Sequence, residues 1–156
     1  MSDGESEALV ISRAYADEIV AHARAEAPAE ACGLIAGAQG LATRLYRIPN
    51  ADPSIYRYNM EPRAQLRAIQ DMDDRGWDLL AIYHSHTHTP AYPSPTDISL
   101  AFYPDVFYAI VTLQDAENPR IRAFRIVDGQ VREAPVRIDP AGVAHSETPM
   151  IGAEDA

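Results

Sequence analysis

The chain has 156 residues, with 23 acidic against 13 basic side chains and a formal net charge of −10. That length suits one domain with a real core and is too short for a complete (β/α)₈ barrel, which takes about 250 residues, while the acidic balance argues against nucleic acid or an anionic membrane surface as partner. A lone cysteine excludes an intramolecular disulfide framework, and an acidic start with no apolar leader core, together with no apolar run near the ~18 residues of a membrane span, points to a soluble cytoplasmic protein.

Residues 1–9 read as a polar leader. Between Ile11 and Ala27, Ile11, Tyr15, Ile19 and Ala23 recur at i+4 with charged residues between them, which predicts an amphipathic helix ended by Pro28. The run from Glu30 to Gly37 is apolar after its first residue and predicts a buried strand. Glu30 is then either a solvated strand start or a functional acid held in a drier setting. Cys32 shares its face and reads as a small buried hydrophobe. Leu41 to Ile48 predicts a second strand, joined to the first as a hairpin across Ala38-Gln39-Gly40, and Pro49 to Ser54 is turn chemistry.

An extended stretch, Ile55 to Met60, precedes a helix from about Glu61 to Arg75 with Leu66, Ile69 and Met72 on its apolar side and Gly76 as its stop. The aromatic segment Tyr56 to Arg63 reads, on its residues alone, as an edge strand packing tyrosine rings on the sheet.

Leu79 to Tyr83 is a buried strand that runs into His84-Ser85-His86-Thr87-His88. Alternation places Leu80, Ile82, His84 and His86 on one side, so two imidazoles emerge together at the strand's end. Ser94-Pro95-Thr96-Asp97 follows. It is a good helix start, with Ser as N-cap, Pro at the first helical position and an acid at the third. Capping explains Ser94 and Asp97 but not two same-face histidines upstream; the set can also hold one metal ion. Imidazole and carboxylate are zinc ligands, and a catalytic zinc keeps a position open for water. Any two of His84, His86 and His88 could serve.

After a short helix from Thr96 to about Phe102, closed by Pro104, Val106 to Leu113 reads as a core strand. Ile121 to Val127 and Val131 to Ile138 form a hairpin about Asp128-Gly129. The segment 139–156 has no periodicity and reads as a mobile tail, leaving 10–138 as the domain.

The pattern His84-x-His86, seven residues, Ser94-x-x-Asp97 resembles the signature of the JAMM (MPN-plus) metalloproteases, and Glu30-Ala31-Cys32-Gly33-Leu34 resembles the segment that carries their catalytic acid. The resemblance implies an α/β single-domain MPN fold of the cytidine-deaminase-like kind, with a mixed central sheet and flanking helices. It implies one Zn²⁺ per chain on His84, His86 and Asp97, Glu30 as general base and Ser94 at the developing oxyanion. His88 lies outside the motif and is left as a rim or solvated side chain. The comparable cleft border implies substrate contacts at Tyr56, Asn59, Met60 and Arg63. Within the family the chain is similar to bacterial peptidases acting on ubiquitin-like sulfur-carrier proteins. That implies hydrolysis after a C-terminal Gly-Gly with release of cysteine or a similar amino acid. The alternatives are an isopeptidase or desampylase acting on lysine conjugates and a non-catalytic, metal-stabilised scaffold. Oligomeric state is not readable.

Overall fold

A computed structural model describes residues 7–140. Eight strands and three helices are set out in it: β1 (Leu9–Ser12), α1 (Arg13–Glu26), β2 (Cys32–Ala38), β3 (Leu41–Ile48), α2 (Pro62–Arg75), β4 (Asp78–His86), α3 (Pro95–Ser99), β5 (Phe107–Thr112), β6 (Arg120–Val127), β7 (Gln130–Ala134) and β8 (Val136–Asp139). Six strands form one sheet in the order β3-β2-β4-β5-β6-β7, and β1 pairs in parallel with β8 in a second, two-stranded sheet. This is the mixed α/β architecture expected. The tail beyond position 140 and residues 1–6 of the leader lie outside the described residues. Among the described residues, no helix is long and apolar enough to cross a membrane.

Within the large sheet only β4 and β5 run parallel; every other neighbour is antiparallel. Two tight turns close the hairpins at its two ends. Gln39-Gly40 and Asp128-Gly129 both have positive φ at each residue, the conformation of two-residue turns whose twist matches that of the strands. Each face of the sheet buries its own core. On one face α2 and the chain following β4 cover Leu34, Tyr46, Ile82, Ile110 and Phe124; on the other, α1 and β1 cover Ile35, Leu45, Tyr83, Ala109 and Val111.

Four expectations need correction. Ile11 is not helical: β1 occupies Leu9–Ser12 and Ser12 caps α1 by accepting from the Tyr15 amide at 3.1 Å. The buried side of α2 is Ala64, Ala68 and Met72, while Leu66 is 56% exposed, because the two alanines let the helix sit close on the sheet. The expected last strand is two, divided at Pro135, whose carbonyl accepts from the Leu9 amide. Leu80 does not share the face of His84. The β2–β4 register jumps from Leu79 opposite Ala36 to Ala81 opposite Ile35, so Leu80 is a bulged residue and turns to the α1 side with Ala81.

Candidate metal centre

The last residues of β4 bring His84 and His86 out on the α2 side, 1% and 4% exposed. His84 is flanked by its ladder partners Cys32 and Ile110. A parallel pair such as β4 and β5 needs a long crossover, and the chain leaving His86 makes it. The crossover is pinned as it leaves: the Leu113 amide donates to the His86 carbonyl at 3.0 Å, the Thr87 hydroxyl to the Pro28 carbonyl at 3.1 Å and the Thr112 hydroxyl to the Thr89 carbonyl at 2.6 Å. Its return carries α3 over the histidines.

The start of α3 is a capping box. The Asp97 amide donates to Ser94 Oγ at 3.0 Å, and the Ser94 amide donates back to Asp97 Oδ2 at 2.9 Å. The same Oδ2 lies 3.1 Å from both His84 Nε2 and His86 Nε2, which are 3.2 Å from one another. The cap and ligand readings of Asp97 are therefore one geometry. Ligand atoms about 2.0–2.1 Å from a tetrahedral cation stand about 3.3–3.4 Å apart, so this triangle fits a divalent ion. His86 Nδ1 lies 2.8 Å from the Pro90 carbonyl; that contact requires the proton on Nδ1 and leaves Nε2 as a lone-pair donor.

Glu30 comes to the site through Ser85. This buried serine accepts the Ala31 amide on its hydroxyl at 2.7 Å and donates its own amide to the Ala31 carbonyl at 3.0 Å. The antiparallel register thus continues past Cys32, opposite His84, and sets Glu30 across from His86. Glu30 is 2% exposed, and its Oε1 has no hydrogen-bond partner among the described residues. Burial pushes its carboxyl up to about 8, with the His86 charge opposing and the Asp97 charge adding. For Asp97 burial works the same way, yet the His84 and His86 imidazoles against Oδ2 and the Ser94 amide hold the carboxyl far below its ordinary range. His86 is lowered by burial but raised more by Asp97 and Pro90, so its net shift is upward. The two carboxyls are thus driven in opposite directions, Asp97 toward the ionised form that a cation would take and Glu30 toward holding a proton.

The structure brings Glu30, His84, His86, Ser94 and Asp97 together. Beside Asp97 opens a cleft of about 260 Å³ whose walls include Asn59 and Met60, with Tyr58, Leu100, Phe102 and Tyr103. Tyr56, 77% exposed, and Arg63, also exposed, are not among its walls. Nor is the segment an edge strand. The amides of Tyr56, Asn59 and Glu61 are already taken by Ser54 Oγ, Asn50 Oδ1 and the Pro49 carbonyl. His88 is exposed, its Nδ1 3.0 Å from the Thr87 hydroxyl, and stands outside the triangle. Cys32 is fully buried, its thiol on the Ile48 carbonyl at 3.4 Å and pushed up to about 12 by burial and then by Glu26 and Glu30, which fits the packing role. Sequence reasoning passed over Ser85, Asn50 and Tyr58. The tyrosine lay in a stretch already weighed, but nothing local says which ring turns inward.

Fold and site together define a JAB/MPN-type peptidase domain. A family model described as prokaryotic homologs of the JAB domain matches residues 12–127. The CysO-cysteine peptidase of Mycobacterium tuberculosis is 42% identical over 132 residues, 83% of this chain and 90% of that protein. A probable TtuB-protein conjugate cleaving protease from Thermus thermophilus is 39% identical over 123 residues, 78% of each. Among solved structures, a Desulfitobacterium hafniense protein matches with a TM-score of 0.78 at 35% identity, over 88% of this chain and 96% of that one. The chain belongs to the JAB/MPN family, in its prokaryotic branch of JAMM-type peptidases. It is a hydrolase.

Proposed function

We propose that this chain is a zinc peptidase, with one ion per chain, that hydrolyses the bond after the C-terminal Gly-Gly of a ubiquitin-like sulfur-carrier protein and releases cysteine or a similar amino acid. One observation carries the reading: three ligand atoms 3.1–3.2 Å apart, with the buried Glu30 carboxyl, its Oε1 without a partner among the described residues, across the strand pair from His86. The 42% identity to a protein named CysO-cysteine peptidase supports the choice of substrate.

Zn²⁺ held by His84 Nε2, His86 Nε2 and Asp97 Oδ2 would supply a Lewis acid and bring the pKa of a bound water to roughly 7. The protein's own groups then divide the work. Glu30 accepts the proton of the water that attacks the carbonyl carbon of the terminal glycine. A carboxyl already raised by burial holds that proton well, and Glu30 returns it to the departing amine as the C–N bond breaks. Ser94 Oγ accepts from the Asp97 amide, which leaves its own O–H free to donate to the oxyanion. A donor so placed is worth roughly 10²–10³ in rate. The cleft beside Asp97 is walled by Met60, Leu100, Phe102 and Tyr103, so apolar residues ahead of the Gly-Gly meet apolar surface while two glycines, having no side chains, pass close to the ligands.

The test is to incubate zinc-loaded protein with a carrier–cysteine adduct and weigh the products. Carrier ending in free Gly-Gly, plus cysteine, supports the reading; an intact adduct beside stoichiometric zinc overturns it. The Thermus relative, named for conjugate cleavage, favours a second reading as an isopeptidase. A lysine-linked conjugate run in parallel separates the two, since it alone demands room for a protein on the leaving side.

A further inference from the structure

Both histidines of the triangle reach it through Nε2, yet only one is oriented by a hydrogen bond. His86 Nδ1 meets the Pro90 carbonyl at 2.8 Å, whereas His84 Nδ1 is buried and has no partner among the described residues. A ligating imidazole usually has its second nitrogen held, because rotation about Cβ–Cγ would otherwise carry the donor atom off target. The ladder partners Cys32 and Ile110 fix the backbone of His84 but leave that rotation open.

What covers the ring is Tyr58. The two rings stack with centroids 4.7 Å apart and planes 30° from parallel, while His86 meets His84 edge-on at 5.0 Å and 63°. A face in van der Waals contact with another ring cannot turn without displacing it. Tyr58 is itself delivered by a tied loop. Asn50 Oδ1 accepts the amides of Asp52 and Asn59 at 3.2 and 3.0 Å, its Nδ2 donates to the Glu30 carbonyl at 3.0 Å, and the Ala51 amide donates to the Asn59 carbonyl at 2.7 Å. The loop that presents the ring is thus fastened to the residue that bears the base.

We propose that Tyr58 is a positioning residue for the metal ligand His84, its ring taking the place of the missing hydrogen bond; this rests on the reading of His84 as a ligand. The test strips the full chain of metal, titrates it with Co²⁺ followed by visible absorbance, and measures Zn²⁺ affinity against a competing chelator. Tyr58→Leu is expected to weaken affinity about 10- to 100-fold and to change the Co²⁺ spectrum. Tyr58→Phe, which keeps the ring, is expected to retain both. Unchanged affinity in the Leu variant overturns the proposal, as does an equal loss in the Phe variant, which would assign the effect to the hydroxyl. A wild type that takes up no metal defeats the ligand reading instead. A second measurement needs no substitution and no ion: the stack predicts ring-current-shifted, unbroadened His84 ring protons in the NMR spectrum of the metal-free protein. Signals at random-coil positions overturn it.

Discussion

Glu30 and Asp97 are both carboxylates in partly dry surroundings, and what separates them is the company each keeps. Asp97 Oδ2 accepts the Ser94 amide and faces two imidazole nitrogens, and the carboxyl stays ionised; Glu30 Oε1 has no partner among the described residues, and that carboxyl is raised to about 8. Glu30→Gln keeps size and burial while removing proton transfer, so it should bind zinc as the wild type does and lose about 10²–10⁴ in kcat, checked by metal analysis beside turnover. Near-normal turnover would remove Glu30 from the mechanism. On the far face, His22 is buried with Nδ1 2.7 Å from the Tyr83 hydroxyl, and burial, then the Arg47 charge, lowers it to about 4. Because the unfolded imidazole titrates near 6.5, the unfolded chain binds more protons between about pH 4 and 6.5. Stability from this group is therefore present above that window and lost as pH falls through it, by up to about 3 kcal/mol. Glu30 runs the opposite way, losing stability as pH rises from about 4.5 to 8. The His22 effect is therefore read as a difference: in urea titrations of metal-free protein, the advantage of wild type over His22→Gln should shrink on acidification. A constant difference would mean His22 is not held neutral.

Among the elements, β2 and α3 are the least forgiving. A Cβ on Gly33 would come within 2.2 Å of the Tyr83 ring and 2.5 Å of the Tyr46 carbonyl, both in the packed interior, so Gly33→Ala should cost at least about 1–3 kcal/mol by chemical denaturation. An unchanged midpoint would mean the strand can shift. α3 has five residues, and its capping serine and third residue both belong to the candidate site. Ser94→Ala should cost about 1 kcal/mol of stability and, by loosening Asp97, weaken zinc binding as well as turnover, which a chelator competition reads directly. Loss of turnover alone would assign Ser94 to the oxyanion only. These elements also mark how far the sequence is legible. The hairpin turns and the His-x-His, Ser-x-x-Asp spacing are local and could be read. β1 could not, because four residues run straight into a helix through a capping serine with no breaker between them. The buried side of α2 was hidden because its contact residues are alanines, which a hydrophobicity pattern undervalues beside Leu66.

For the whole molecule, ligand set and fold are one equilibrium. An ion that binds the native chain at 100 times its dissociation constant adds about 2.7 kcal/mol, or about 5–10 °C in Tm for a domain of this size. Chelation should lower the melt by that much, and the gain should fade on acidification from a higher pH than a free imidazole would give, since Asp97 raises His86. A melt indifferent to chelator would rule out the site. Long-range placement is where sequence reading stopped. The face of Leu80 turned on a bulge that only the pairing with β2 reveals, and Tyr58 meets His84 through a loop tied by Asn50. The parallel pairing of β4 with β5 has a consequence for redesign. The chain from Thr87 to Val106 must return to the sheet's other end whatever its composition, so Asp97 rides on a path the topology already demands. The Gln39-Gly40 and Asp128-Gly129 turns can accept inserted residues at little cost, whereas trimming this return by even a few residues sets pairing against coordination, and one of the two must give way.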